Sequence, residues 1–158
     1  MDHLERALDL ATKMREHVQA ELEPARDQRV LVRKLDVQGL FERARARGEF
    51  NVVLAQLQGE LNDSLAKVGA VMGEGEISLA VLRASIDPVA HELARALSEL
   101  RASAQALQEI DSLNQVLARR ALACVRGYIS ALSPRGDAYD RYGGVRAGAA
   151  QSITRQVA

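Results

Sequence analysis

The side chains that could do chemistry are few, and their spacing decides against most reactions. His91-Glu92-Leu93-Ala94-Arg95 begins like the helix of a zinc protease, in which two His one turn apart hold the metal and the Glu beside the first acts as base. Arg95 stands where the second His is required, and no other cluster supplies the missing ligand. His3 and His17 are expected to be isolated on a polar surface. Glu21 and Glu23 are two apart on a helix, so they point in different directions and make no acid–base pair. Gly73-Glu74-Gly75 has no strand before it and no Lys-Ser or Lys-Thr after it, which excludes a phosphate loop. Cys124 is the sole cysteine and excludes an intramolecular disulfide; beside an apolar seam it is expected to pack rather than to react. No catalytic residue, metal ligand or cofactor is expected. The chain is read as a binding protein, not an enzyme.

Composition says which elements must carry such a function. Of 158 residues 26 are Ala and 21 are Leu, against five aromatics (Phe41, Phe50, Tyr128, Tyr139, Tyr142), three Pro and no Trp. Good helix formers dominate, and β-branched residues are too scattered for a sandwich or barrel. The expected fold is therefore all-α: an antiparallel long-helix bundle or coiled coil of three main helices. Residues 1–132 are assigned to the bundle and residues 133–158 to a flexible basic C-terminal tail.

The charges sum to zero but are unevenly placed. Residues 1–118 hold 14 basic and 19 acidic side chains, and residues 119–158 hold seven Arg against Asp137 and Asp140. A nucleic-acid binder needs a broad basic excess to neutralise phosphates, so no nucleic-acid partner is expected. No stretch approaches the roughly 18 apolar residues that span a bilayer. The opening Met1-Asp2-His3-Leu4-Glu5-Arg6 is unlike a secretory signal, and a cytoplasmic location is expected.

The first helical pattern runs from about Asp2 to Lys34, with a stripe at Leu4, Leu8, Ala11, Met14, Val18, Leu22, Ala25 and Val32. Arg29 fills the remaining slot and can snorkel at its edge. Pro24 lies inside this pattern and predicts a kink or break near Leu22. The second pattern starts at Asp36 as N-cap and continues through Val37, Leu40, Phe41, Ala44, Leu54, Leu57, Leu61, Leu65, Val68 and Met72. Arg43, Arg45 and Arg47 within it cannot all share one helical face and are expected on a solvated surface with local Glu partners. Gly73-Glu74-Gly75-Glu76 predicts a turn. A third helix starts near Ser78 or, better, at Asp87-Pro88, where Asp caps and Pro suits the first turn.

From there an a/d seam alternates four and three over about six heptads: Leu93, Leu97, Leu100, Ala104, Leu107, Asp111, Asn114, Ala118, Ala121, Val125, Tyr128 and Leu132. Such a helix is about 65 Å long, so part of it is expected to project beyond the other two. Asp111 and Asn114 put polar groups in the seam, where Asn fixes register at some cost in stability. The stretch beyond them is narrow and weakly apolar, and it can receive another helix. After Ser133-Pro134 the helix is expected to end.

The order of these features resembles the FlgN family of flagellar export chaperones. A helix ending in Leu35-Asp36-Val37-Gln38-Gly39-Leu40, a Leu-rich second helix, a long third helix and a Gly-bearing tail follow that family's plan. The most specific part is residues 111–143. The family shows two Asn three residues apart, an apolar helix, a Leu-x-Pro stop, and a Tyr followed by Gly. Here that reads Asp111-Ser112-Leu113-Asn114, then Val116 to Leu132, Leu132-Ser133-Pro134, and Tyr139-Asp140-Arg141-Tyr142-Gly143. Asp111 departs from the first Asn.

The resemblance implies a chaperone that binds C-terminal helical segments of flagellar hook-associated (hook–filament junction) proteins. It would prevent their premature assembly and deliver them to the type III export gate. The implied client-binding wall is Asn114, Leu117, Ala121, Val125 and Tyr128, receiving an amphipathic helix in a groove. Tyr139, with Tyr142 as rival, is implied to dock at the export gate. The competing expectation is a structural coiled-coil protein that self-associates, as a homodimer for example, through the 93–132 seam.

Overall fold

The computed structural model describes residues 3–73, 75 and 77–132, which form four helices: α1 (His3–Lys34), α2 (Val37–Met72), the short α3 (Leu79–Ala84) and α4 (Pro88–Leu132). The all-α expectation of three main helices holds, with one extra short helix. Both proposed starts of the third pattern are used. Ser78 caps α3 through its hydroxyl, which accepts from the Val81 N–H, and Asp87 Oδ1 accepts from the Val89 N–H at 2.8 Å to start α4. The expected tail, with Tyr139 and Tyr142, lies outside the described residues.

The chain divides into two compact units, Met1–Ala121 and Leu122–Ala158. Of the second, the structure describes residues 122–132, the last turns of α4.

In the first unit, cross-helix bonds set direction. Arg6 pairs with Glu60, the Ser64 hydroxyl donates to the His3 carbonyl, and His17 stacks on Phe50, so α1 and α2 are antiparallel. Arg15 pairs with Glu99, and Asn114 bonds the Ala25 carbonyl, so α4 runs parallel to α1. The core is built from Leu, Val and Ala, with Leu82, Leu93, Val18 and Val68 fully enclosed. Ala7, Ala11, Ala25 and Ala90 are fully buried, which lets helix backbones approach closely with little side-chain entropy lost. Among the described residues Phe50 is the one aromatic ring in this core; Val37 and Phe41 of the second pattern are exposed instead, on the first turns of α2.

Pro24 does not break α1. The helix continues as one element from His3 to Lys34, although Pro24 offers no N–H to the Ala20 carbonyl. Val18, Glu21, Ala25 and Val32 are buried on either side of it, and their packing outweighs the lost hydrogen bond.

The α1–α2 turn explains the Leu35–Leu40 segment residue by residue. Leu35 takes φ of 52°, with its N–H bonding the Val32 carbonyl and the Asp36 N–H bonding the Leu31 carbonyl. This is a Schellman closure, built on a leucine where glycine is usual. Asp36 then caps α2, accepting from the Gly39 N–H at 2.9 Å. A Cβ on Gly39 would sit 2.7 Å from the Asp36 carboxylate and 2.9 Å from a Leu31 methyl, so any larger residue must displace the capping side chain or Leu31. At the other end Gly73 closes α2 with φ of 74°.

Candidate functional site

Two arrangements are unusual for a simple bundle. One is a buried polar network between the helices; the other is apolar surface left open along the last turns of α4.

The network centres on Glu21, whose side chain is only 8% exposed. It accepts from Arg43 and, at 2.8 Å, from Arg47. Arg47 also donates to Asp111 at 2.5 Å and lies 4.8 Å over the Phe50 ring. Glu21, Arg47 and Asp111 thereby tie α1, α2 and α4 together. This corrects the expectation for the three arginines. Arg43 and Arg47, one turn apart, face inward and are shared with other helices; only Arg45 is on the surface with a local partner, Glu49. A buried Glu two residues from an exposed Glu23 is the signal that identifies the acceptor, because only one of the two can face the core.

Next to it, Asn114 is 4% exposed, and both ends of its amide are used. Nδ2 donates to the Ala25 carbonyl at 2.7 Å, and Oδ1 accepts from Arg29 Nε at 3.4 Å. Asn114 thus holds the register of α4 on α1, facing inward rather than toward the open surface. Arg29 reaches it from the edge of the α1 stripe.

His91 and His17 make structural contacts, and His3 is exposed. His91 Nε2 lies 2.7 Å from the Ser85 carbonyl, closing the turn before α4. His17 is half-buried, not isolated: its ring stacks on Phe50 at 4.5 Å and 12°, with Nε2 3.1 Å from the Phe50 carbonyl. Among the described residues no group of three or more His, Cys, Asp or Glu is placed to hold a metal ion. The same residues include no helix long and apolar enough to cross a membrane.

The first unit's end of α4 exposes Leu113 and Val116, while Leu117 and Ala121 are half-buried. In the second unit Leu122, Tyr128, Ile129 and Leu132 are 50–80% exposed and Val125 is half-buried. Leu117 and Ala121 thus belong to the first unit's part of α4, and Val125 and Tyr128 to the second's. Asn114 stands apart from them in its buried bonds. Cys124 is exposed, so it does not fill the packing role expected of it. Alternation of a and d positions cannot reveal where burial stops, because the pattern runs unbroken through both stretches.

A model of the FlgN protein family matches residues 1–147. The chain belongs to the FlgN family. Comparison with curated proteins and with solved structures returns no match. FlgN proteins are flagellar export chaperones that bind flagellar proteins, so the family is one of chaperones and not of enzymes. The departure from the FlgN pattern at Asp111 acquires a physical reason. Its carboxylate is the second acceptor of Arg47, an ion pair that an Asn could not make.

Proposed function

We propose that this FlgN protein works in the cytoplasm and binds C-terminal helical segments of flagellar hook-associated proteins. The observation that supports this is the open apolar face of α4 after Asn114. Burying an exposed Leu, Ile or Tyr side chain contributes about 1.5–3 kcal/mol, so a helix laid across several of them is held without any catalytic group. Leu117, Ala121, Val125 and Tyr128 are the contact residues, and Asn114 positions the helix that carries them. Covering the client's own assembly surface prevents premature assembly. Delivery to the export gate is assigned to Tyr139 or Tyr142, beyond α4.

Hydrogen exchange across residues 104–132, with and without a hook-associated protein, tests the client site. Protection of 115–132 on addition is expected; unchanged exchange with preformed protection would favour the self-associating reading. Truncation after Pro134 tests the second role. Client binding should survive it and gate binding should be lost; if both survive unchanged, neither tyrosine docks at the gate.

A further inference from the structure

The open face of α4 has a width and a charge pattern that together describe its occupant. With Asn114, Ala121 and Tyr128 at heptad position d, position a holds Asp111, Ala118, Val125 and Leu132. In the first unit the two sides of this seam meet different helices. The d side meets α1, through Asn114 and Ala25, and the a side meets α2, through Asp111 and Arg47. The g positions buried beside d, Ala96 and Ile110, complete the covered arc.

After Gln115, which is exposed at position e, that arc is apolar to the end of α4. Position g holds Leu117, Cys124 and Ala131, and position e holds Leu122 and Ile129. From g through d and a to e the apolar arc spans roughly 160°, at about 100° per residue. A single docked helix covers an a/d stripe narrower than this. The exposed side chains lie on both halves, Tyr128 at d and Leu122, Ile129 and Leu132 at e and a. The pattern is that of a helix with two neighbours.

The borders of the arc are basic. Arg119 and Arg126 follow the e side at position b, and Arg120 follows the g side at position c. No carboxylate occurs between Asp111 and Asp137, so α4 offers these arginines no partner three or four residues away. A second copy of the chain docked face to face would bring six arginines together with no acid, which charge repulsion opposes. Residues 133–158 carry four Arg against Asp137 and Asp140 and are also a poor electrostatic match.

We infer that the face takes a pair of amphipathic helices from another protein, with Glu or Asp at the positions flanking their apolar stripes. The inference rests on the chaperone reading and names the client's form: two helices that stand where α1 and α2 stand along the first part of α4.

The test uses the full chain and designed peptides that share one Leu/Ala heptad stripe. They are flanked by either Glu or Lys, and each is made as a single helix and as a covalently linked antiparallel pair. Binding is read by fluorescence anisotropy at low and at 1 M salt. The Glu-flanked pair should bind tightest, roughly tenfold better than its Lys counterpart at low salt, from a few ion pairs acting together. The gap should close at 1 M salt. Arg119→Glu combined with Arg126→Glu should reverse the preference. Tyr128→Ser and Ile129→Ser, on opposite halves of the arc, should each weaken the linked pair.

Equal binding of Glu- and Lys-flanked peptides would overturn the charge assignment. A single helix that matches the linked pair, with only one of the two serine variants affected, would overturn the two-helix form. In both cases the docking role itself would stand. Failure of every peptide to bind, with concentration-dependent dimerisation by sedimentation, would overturn that role as well.

Discussion

The residues of α4 up to Asn114 and those after it share one sequence rhythm and differ in what covers them. In the first stretch Leu93, Leu100, Leu107 and Ile110 are at most 8% exposed, and each polar seam residue has a named partner. In the second, seam residues Tyr128 and Leu132 are 72% and 80% exposed. Apolar periodicity therefore reports capacity to pack, and the partner is a separate question. In the first stretch the partner is within the chain. In the second the same capacity remains unspent, which is the physical condition for the proposed docking of another protein's helix.

The largest expected effect contrasts one leucine with one isoleucine. Leu93→Ala empties a fully enclosed site and should cost about 2–5 kcal/mol of stability. Ile129→Ala, at a site 60% exposed, should change stability by less than about 0.5 kcal/mol while weakening client binding. Urea unfolding of both variants checks the contrast. Comparable losses would mean that the second stretch is packed within the chain, and the comparison would collapse.

Asn114 sharpens the position of the border. Asn114→Ala removes a second hydrogen bond to the Ala25 carbonyl, which the ladder of α1 already engages, and should cost about 0.5–1.5 kcal/mol. Because its amide is used inside the bundle, the loss should appear in stability, with client affinity changed only by what α4 gives up in position. A variant of unchanged stability that fails to bind client would move Asn114 to the open side of the border.

The fold was legible in the sequence where local chemistry decides it, and less so where tertiary contacts do. Asp36, Gly73 and Asp87-Pro88 mark helix ends through capping, a property of adjacent residues, and each stands where expected. The break offered for Pro24 does not occur, because its local cost is outweighed by packing that lies across the bundle. Arg43 and Arg47 were hidden for the same reason: a guanidinium's partner 22 to 64 residues away leaves no local trace. The candidate face was legible as periodicity. That Asn114 belongs to the bundle depends on a carbonyl of another helix, Ala25, which no pattern within α4 can indicate.

A smaller effect belongs to the turn where α1 and α2 meet. Leu35 holds a left-handed conformation that costs an L residue about 1–2 kcal/mol, and its side chain is largely exposed. Leu35→Gly should stabilise the bundle by up to about 1 kcal/mol, the gain being reduced by glycine's freedom in the unfolded chain. Gly39→Ala, one turn later, should destabilise, because its methyl would clash with Asp36 and Leu31. Both changes lie far in sequence from residues 122–132 and should leave client affinity unaltered. Thermal unfolding with parallel binding measurements checks this. A binding change from either would show that the turn and the open face act together.

The smallest effect is a dependence on acid confined to the covered stretch. The Arg15 guanidinium, 2.6 Å from Glu99, and then Arg95 hold the Glu99 carboxyl below the usual carboxylate range. A lowered folded-state pKa means that the contribution is complete above the unfolded value, about 4.3. It is lost as pH falls through the lower folded value. Glu99 sits on α4 and Arg15 on α1, so protonation loosens one tie of the first stretch and touches nothing after Asn114. Glu99 is well exposed to solvent, which screens the pair and keeps the effect small. Glu99→Gln should flatten the acid limb of stability below about pH 4.3 and leave stability near neutral pH slightly reduced. An acid limb unchanged in the variant would assign the pH dependence to other carboxylates, and the tie between α1 and α4 would then rest on Asn114 and the apolar core.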